Sequence, residues 1–285
     1  MRGRGIKAKL KEILSGEEIS EFKSSLEIIG DLAIIKLPPR LESKASLIAN
    51  LIMSVHRNVR AVYSQESPVL GEYRVRRLRL LAGKPGTETV HREHGCMFKV
   101  DVAEAYFSPR LQYERLRVAK LLVEGEVVVN MFAGVGCFSI IMAKHARPSR
   151  VYSIDLNPKA YQYMVENVLL NRVAGVVKPI LGDSKLVVER ELAGVADRVL
   201  MPLPLKAREY LPSALKALKP DGGWIHYYDF VHAVKGEDPV RKVAETIPRS
   251  LEGFKLEVSS GRVVRSVGPK WYQVVLDILA EKTSG

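Results

Sequence analysis

Two glycines and two aspartates are spaced in this sequence as a nucleoside-binding site would need them. In "VVVNMFAGVGCFSI", Val127 to Ile140, an apolar run stops at Asn130, and Gly134 and Gly136 follow before the chain turns apolar again. Glycine lets a backbone approach a ligand with no side chain in the way. A dinucleotide fingerprint needs a third glycine three residues after the second, and Ser139 holds that place. The spacing therefore argues against a dinucleotide and suits S-adenosylmethionine, held by Phe132, Ala133, Gly134, Val135 and Gly136, with Phe138 just beyond. Asp155 ends the next apolar run, beside Leu156, where a carboxylate can take both ribose hydroxyls. Asp183, next to Ser184 in "LGDS", is placed to accept from an adenine amino group. Either aspartate alone reads equally well as a helix cap or a turn residue. With the glycine loop, the two point to a nucleoside cofactor.

The elements that must position these residues begin near residue 113. The helix-like "ERLRVAKLLV" leads to the strand-like "EVVVNMF". Helix "GCFSIIMAKHA", strand "RVYSIDL", helix "PKAYQYMVENVLLNRV" and strands "VVKPILGD" and "ADRVLMPLP" follow, then helix "AREYLPSALKALK" and strand "GGWIHYYDF". Strands alternating with helices of this length predict an α/β fold with a doubly wound parallel sheet. The end, "KLEVSSGRVVRSVGPKWYQVVLDILA", carries two apolar-alternating runs with little room between them, which predicts an antiparallel hairpin on the sheet edge. That ending is typical of class I methyltransferases and not of dinucleotide dehydrogenases.

The first hundred residues read as a small α+β domain. "LEIIGDLAIIKLP" predicts a hairpin turning at Gly30-Asp31, and "TETVHREHGCMFKVDV" another turning at His94-Gly95. "SKASLIANLIMSVHRN" has helical spacing with Ser43 as its cap, and "RVRRLR" reads as a basic strand. In that strand Arg74 and Arg76 would share one face, with Arg77 and Arg79 on the other. The expected division is 1–105 for this domain and 106–285 for the cofactor domain.

Charge supports a polyanionic partner. The chain of 285 residues has a net charge of +12. Residues 1–100 hold 18 Lys and Arg against 11 Asp and Glu, giving +7 over about a third of the length. Such a basic region fits nucleic acid, although general solubility also favours a net charge away from zero. The two cysteines, Cys96 and Cys137, lack metal-site spacing and read as buried thiols in a reducing cytoplasm. His91 and His94 sit in a hairpin without a ligand pattern, so no metal is expected. No apolar run is long enough for a membrane span.

Four segments then bring a family into view. "YFSPRLQYERLRVAKLL", "NMFAGVGCFSI", "SIDLNPKAYQYMVENVLLN" and "GGWIHYYDF" resemble the archaeal and eukaryotic tRNA guanine-37 N1-methyltransferases. The resemblance covers nearly the whole chain and implies methylation of N1 of the guanine 3′ to the anticodon, with S-adenosylmethionine as donor and tRNA as partner. Guanine N1 is a poor nucleophile until its proton leaves, and charge then builds on O6. The chemistry therefore needs a carboxylate base near N1 and a cation or donor near O6. The resemblance places the base at Glu114, puts Tyr106 and Arg110 beside cofactor and target base, and assigns O6 to Arg74. Glu114 also reads as a solvated carboxylate at a helix N-terminus, and Arg74 as one member of a solvated basic edge.

One departure stands out. Where that family often carries Asn-Leu-Pro, this chain reads "MPLP", Met201 to Pro204. Pro202 replaces a side-chain amide and cannot hydrogen-bond a base edge, while Pro204 is kept. Substrate binding is thus expected from Arg74, Arg76, Pro202 and Pro204. A sister family transfers the aminocarboxypropyl group of the same cofactor in wyosine synthesis, and the compact N-terminus is closer to that one; "SPR" and "GGWIHYYDF" favour methyl transfer. A tRNA-binding and cofactor-binding module without turnover, and methylation of a small molecule or protein, are the further alternatives. The chain is expected to act as a cytoplasmic monomer.

Overall fold

The computed structural model describes residues 9–11, 13–22, 26–68 and 71–283. The chain divides into two compact units, Met1–Pro109 and Arg110–Gly285. Tyr106 thus belongs to the first unit and Arg110 to the second.

In the first unit, helix α1 (Gly16–Glu21) starts with a capping box in which Ser15 and Glu18 satisfy each other's backbone N–H. Strands β1 (Glu27–Ile29) and β2 (Leu32–Ile35) form the hairpin expected at Gly30-Asp31. Helix α2 spans Ala45–Val55, and β3 (Ala61–Gln65) returns parallel to β2. Strand β4 (Leu78–Gly83) completes a sheet in the order β1-β2-β3-β4. The expected hairpin at His94-Gly95 forms from β5 (Glu88–Glu93) and β6 (Cys96–Asp101), with φ of 48° and 75° at its two turn residues. Leu41, Ile48, Ala49 and Ile52 close the core over Ala33, Ile35 and Val62.

Two local expectations are corrected here. Ser43 does not cap α2: it lies inside a 3-10 helix, Pro39–Lys44, that runs straight into α2 with Lys44 at the cap position. "RVRRLR" is not one strand. The ladder of β4 starts at Leu78, and Arg74 sits in the turn before it with φ of 56°, a left-handed conformation that breaks strand alternation.

The second unit is the doubly wound sheet. Its elements are α3 (Gln112–Leu121), β7 (Val127–Asn130), α4 (Cys137–His145), β8 (Arg150–Asp155), α5 (Pro158–Leu170) and β9 (Val177–Leu181). A short helix α6 (Ser184–Val187), β10 (Arg198–Met201), α7 (Ala207–Ala217), β11 (Gly222–His232), α8 (Pro239–Ala244), β12 (Ser250–Leu251), β13 (Phe254–Gly268) and β14 (Trp271–Lys282) follow. Among the described residues the strand order is β12-β13-β14-β11-β10-β7-β8-β9. Strands β9, β8, β7, β10 and β11 are mutually parallel, and β14 runs antiparallel between β11 and β13. The terminal hairpin therefore forms as expected, with the two-residue β12 added outside it. Val199, Met201, Ile225 and Tyr227 pack with Leu211, Leu215, Val274 and Leu276 in one core cluster. Cys96 and Cys137 are free and buried. No described helix is long and apolar enough to cross a membrane.

Candidate active site

The loop after β7 is fixed by an aspartate at the end of the neighbouring strand, β8. Gly134 N donates to Asp155 Oδ2 at 2.6 Å, and Asn157 N donates to Asp155 Oδ1 at 3.0 Å. One carboxylate thus ties the loop after β7 to the loop after β8. Burial raises the Asp155 carboxyl, against the lowering effect of those backbone donors. Asn157 caps α5 through Lys159 N, with Pro158 as the first helical residue.

The two glycines of the loop have different reasons. Gly134 offers its N–H to Asp155 at φ of 57°. Gly136 caps α4 at φ of 91°, and a Cβ there would lie 3.0 Å from Met164 Cγ and 3.2 Å from Ile140 Cδ1. Its bareness serves helix packing as well as any ligand. Val135 is buried with its carbonyl accepting from Asn167 Nδ2 at 3.0 Å, and Ala133 N donates to Ile154 O at 2.8 Å. Phe132 meets Tyr210 edge to face at 5.1 Å, while Leu156 is half-buried.

Asp183 caps α6 by accepting from Lys185 N at 2.7 Å, and its other oxygen accepts from Tyr210 Oη at 2.9 Å. The capping role is therefore real, and Tyr210 joins Asp183 to the ring of Phe132. Two buried polar atoms around these loops have no hydrogen-bond partner among the described residues: Ser184 Oγ and Asn130 Oδ1. Asn130 Nδ2 donates to Ser139 Oγ, which also accepts from Ser153 Oγ at 2.6 Å. Orphaned buried acceptors and donors are rare in proteins, and here they flank a loop held open by glycine. The carboxylates of Asp155 and Asp183, the Ser184 hydroxyl and the Phe132 ring are chemically suited to an adenosine-bearing ligand, whose diol and amino group donate and whose base offers a ring face.

The second cluster lies around Glu114 on α3. Its side chain is 2% exposed, far from a solvated helix terminus. Tyr228 Oη donates to Oε1 at 2.7 Å, and Arg117 donates from Nη2 to Oε1 at 2.8 Å and from Nε to Oε2 at 3.0 Å. Arg117 Nη1 also donates to Asp277 Oδ2 at 2.6 Å. Asp277 in turn accepts from Ser260 Oγ at 2.7 Å and pairs with His226 Nδ1 at 2.6 Å. His226 Nε2 meets Arg198 Nη1 at 2.9 Å, and Arg198 pairs with Glu126 at 2.8 Å. A guanidinium can only donate, so Nε2 accepts, and His226 is the neutral Nδ1–H tautomer that donates to Asp277.

Burial explains the titration of this chain of groups. It lowers the His226 imidazole below its ordinary value, against the raising effect of Asp277. Burial alone would raise the Asp277 carboxyl, but hydrogen bonds from His226 and Arg117 outweigh it and hold it well below the usual carboxylate range. Burial and the Glu114 charge push the Tyr228 phenol far up, so it stays a donor. With a folded value below the unfolded one near 6.5, His226 must take up a proton on unfolding below that pH. Its stabilisation is complete above about pH 6.5 and declines as pH falls, by up to about 1.4 kcal/mol per pH unit. Asp277 adds its own loss only below about pH 4. Urea midpoints should therefore be flat above about pH 7 and fall between about pH 6.5 and 4.5, and His226→Asn should flatten that limb while lowering the plateau. An unchanged limb in the variant would place the titrating group elsewhere.

Phe138 joins the two clusters. Its ring is buried against Tyr228, edge to face at 6.2 Å, and Arg115 lies 6.0 Å above it. Pro202 is half-buried in the loop between β10 and α7, and Pro204 is buried. Arg110 is exposed in the 3-10 turn Pro109–Leu111 that leads into α3.

In the first unit, the Arg74 guanidinium lies 4.7 Å from the centre of the Tyr106 ring. Arg76 does not share its setting. Arg76 Nη1 donates to Glu27 at 3.1 Å and to Gln65 at 3.2 Å, and the side chain is 9% exposed. Its guanidinium is thus engaged by two partners of its own unit, and a substrate contact by Arg76 would require it to leave them. Arg79 pairs with Glu42 and Glu66.

Sequence reasoning missed Arg117, Tyr228, His226, Asp277 and Tyr210. One signal was present: His226 and Asp277 are polar residues inside strongly apolar runs, "GGWIHYYDF" and "YQVVLDILA".

Comparison with known proteins agrees with this geometry. The family described as "TRM5/TYW2 methyltransferase domain" matches residues 89–256, and "TYW2 N-terminal domain" matches residues 6–87. The chain is 45% identical to the tRNA (guanine(37)-N(1))-methyltransferase Trm5b of Pyrococcus abyssi, over 92% of this chain and 76% of that protein. It is 43% identical to the tRNA 4-demethylwyosine(37)-methyltransferase Taw21 of Saccharolobus solfataricus, over 90% of this chain and 93% of that one. The crystal structure of Methanocaldococcus jannaschii Trm5 in complex with adenosine superposes with a TM-score of 0.80 at 31% identity, covering 98% of this chain and 79% of that one.

Proposed function

From the premise that this chain belongs to the TRM5/TYW2 methyltransferase family, we propose that it methylates N1 of the guanine 3′ to the anticodon of tRNA, with S-adenosylmethionine as donor. The observation that carries the reading is the join at Phe138: the helix that leaves the glycine loop packs its ring on Tyr228, which holds Glu114. A nucleoside-type loop and a buried carboxylate are thus built on the same elements. S-adenosylmethionine, when bound, supplies a methyl group on a sulfonium.

The chain's own residues do the rest. Asp155 and the N–H of Gly134 orient the loop, and Asp183, Ser184 and Phe132 are the groups proposed to hold the nucleoside. Glu114 is the proposed base. Both its oxygens already accept from Arg117 or Tyr228, so the N1 proton must go to a free lone pair or displace one of those donors. Arg110 is proposed beside the substrate. Arg74 as the cation for O6, with Tyr106 as its support, stands as a proposal of its own. On this reading the protein works as a cytoplasmic monomer.

Pro202 favours a second reading. It gives no side-chain hydrogen bond to a guanine edge, and the Saccharolobus solfataricus relative at 43% identity is named for methylation of 4-demethylwyosine. Nucleoside mass spectrometry separates the cases. Protein, S-adenosylmethionine and unmodified tRNA transcript should yield 1-methylguanosine. A methylated product only from tRNA that already carries the tricyclic base would establish the second reading, and an aminocarboxypropyl product would overturn both.

A further inference from the structure

The face of the sheet that carries Tyr228 and Asp277 continues beyond Glu114 into solvent. Directly opposed residues share a face, so the register of β11, β14 and β13 reads as rungs. The innermost rung is His226, Asp277 and Ser260; the next is Tyr228, Val275 and Arg262. Then come Phe230, Gln273 and Arg265, and finally His232, Trp271 and Gly268. Side-chain contacts confirm the shared face: Arg265 Nε donates to Gln273 Oε1 at 2.8 Å, and His232 meets Trp271 edge to face at 5.5 Å. Bulges between Val258 and Ser260, Val263 and Arg265, and Ser266 and Gly268 keep the arginines of β13 on this side.

The row changes character as it leaves the core. Arg262 Nη1 lies 3.9 Å from Glu114 Oε2, yet its side chain is 49% exposed. Trp271 is 46% exposed, and His232 is exposed. From Val258 to Leu276 the sequence carries Arg262, Arg265 and Lys270 and no acidic residue. Asp229, the nearest acid on β11, points to the opposite face, where it accepts from Tyr227 Oη. The carboxylates that meet the row are Glu114 at its inner end and Glu237, whose charge acts on His232 at the outer end; between them, cations and ring faces offer what a single-stranded RNA requires, because phosphates meet the cations and bases stack on the rings. From Tyr228 to His232 the row runs about 13 Å along the strand.

We propose that this row, from Arg262 through Phe230 and Arg265 to His232 and Trp271, is a track for the single-stranded loop nucleotides that flank the target base, with Glu114 at its inner end. The inference rests on the functional reading above and adds the surface that lays the loop across the catalytic unit. Arg262 and Arg265 meet phosphates, and Trp271 offers a stacking platform at the outer end.

The test measures tRNA binding apart from transfer. Trp271→Ala should weaken affinity for transcript tRNA by about tenfold or more, and Trp271→Phe should restore most of it. Arg265→Ala should lower the slope of log affinity against log salt by about one. In all three, S-adenosylmethionine affinity should match the parent protein, while Arg265→Ala should lower the urea midpoint through the acceptor it leaves unpaired on buried Gln273, so tRNA binding is measured under conditions where each variant is folded. Unchanged tRNA affinity in Trp271→Ala together with an unchanged salt slope in Arg265→Ala would overturn the track. A parent protein that transfers no group to any tRNA would instead overturn the functional reading, and the two results are read in separate assays.

Discussion

Glu114→Gln should slow single-turnover methyl transfer to tRNA by about 10²–10⁴, the usual effect of removing a general base. Affinity for S-adenosylmethionine should hardly change, because Glu114 meets Tyr228, Arg117 and Arg262 and not the Gly134, Asp155 or Asp183 of the loop cluster. The substitution has a structural cost that must be separated from the chemical one. Glutamine can still accept from Tyr228 or Arg117 through its one carbonyl oxygen, but its amide nitrogen then faces a donor. Arg117 keeps Asp277 as its remaining carboxylate. Losing one charge-assisted bond costs about 1.5–3 kcal/mol of stability, visible as a lower urea midpoint. A purely structural loss would reduce the folded fraction and leave the rate per folded molecule intact. Loss of a base lowers that rate itself. Transfer at the parent rate, with chemistry limiting, would move the base to another residue.

What the sequence could and could not disclose divides along the range of the interactions. The positions of the glycine loop, Asp155 and Asp183 at strand ends were legible because strand ends follow from apolar runs. The hairpin at His94-Gly95 was legible for the same reason: local turn chemistry fixes it. The Arg117–Asp277–His226 chain was not, since 160 residues separate Arg117 from Asp277. The terminal hairpin was legible from its alternation, but alternation does not say which of its two strands lies against β11, and the chain of groups exists only because β14 does. The internal pairing of Arg76 was hidden in another way. A basic run reads as a surface, but Glu27 lies 49 residues earlier and takes that arginine inside. Arg74 was misplaced because a left-handed residue cannot be foreseen in a sequence of otherwise strand-like types. Gly136 was read as room for a ligand, whereas the neighbour its Cβ would strike first is Met164 of α5.

Asp155→Ala should weaken S-adenosylmethionine binding by about 10–100-fold, or roughly 1.5–3 kcal/mol, measured by calorimetry. The geometry gives this carboxylate two tasks. It accepts from Gly134 N and Asn157 N, one on each oxygen, and so fixes the shapes of two loops at once. Each oxygen retains a further lone pair, which is what a ribose diol needs. Alanine removes both tasks. Asparagine separates them, because its carbonyl oxygen can serve only one backbone N–H, and its amide nitrogen must then face the other donor. If the loop contacts matter as much as the ligand contacts, Asp155→Asn should bind no better than Asp155→Ala despite its near-identical shape. A carboxylate that merely met the ribose would leave asparagine with one good acceptor and an affinity between those of alanine and the parent. Parent-like affinity in either folded variant would remove Asp155 from the cofactor site altogether, and with it the reading of the glycine loop as a nucleoside cradle.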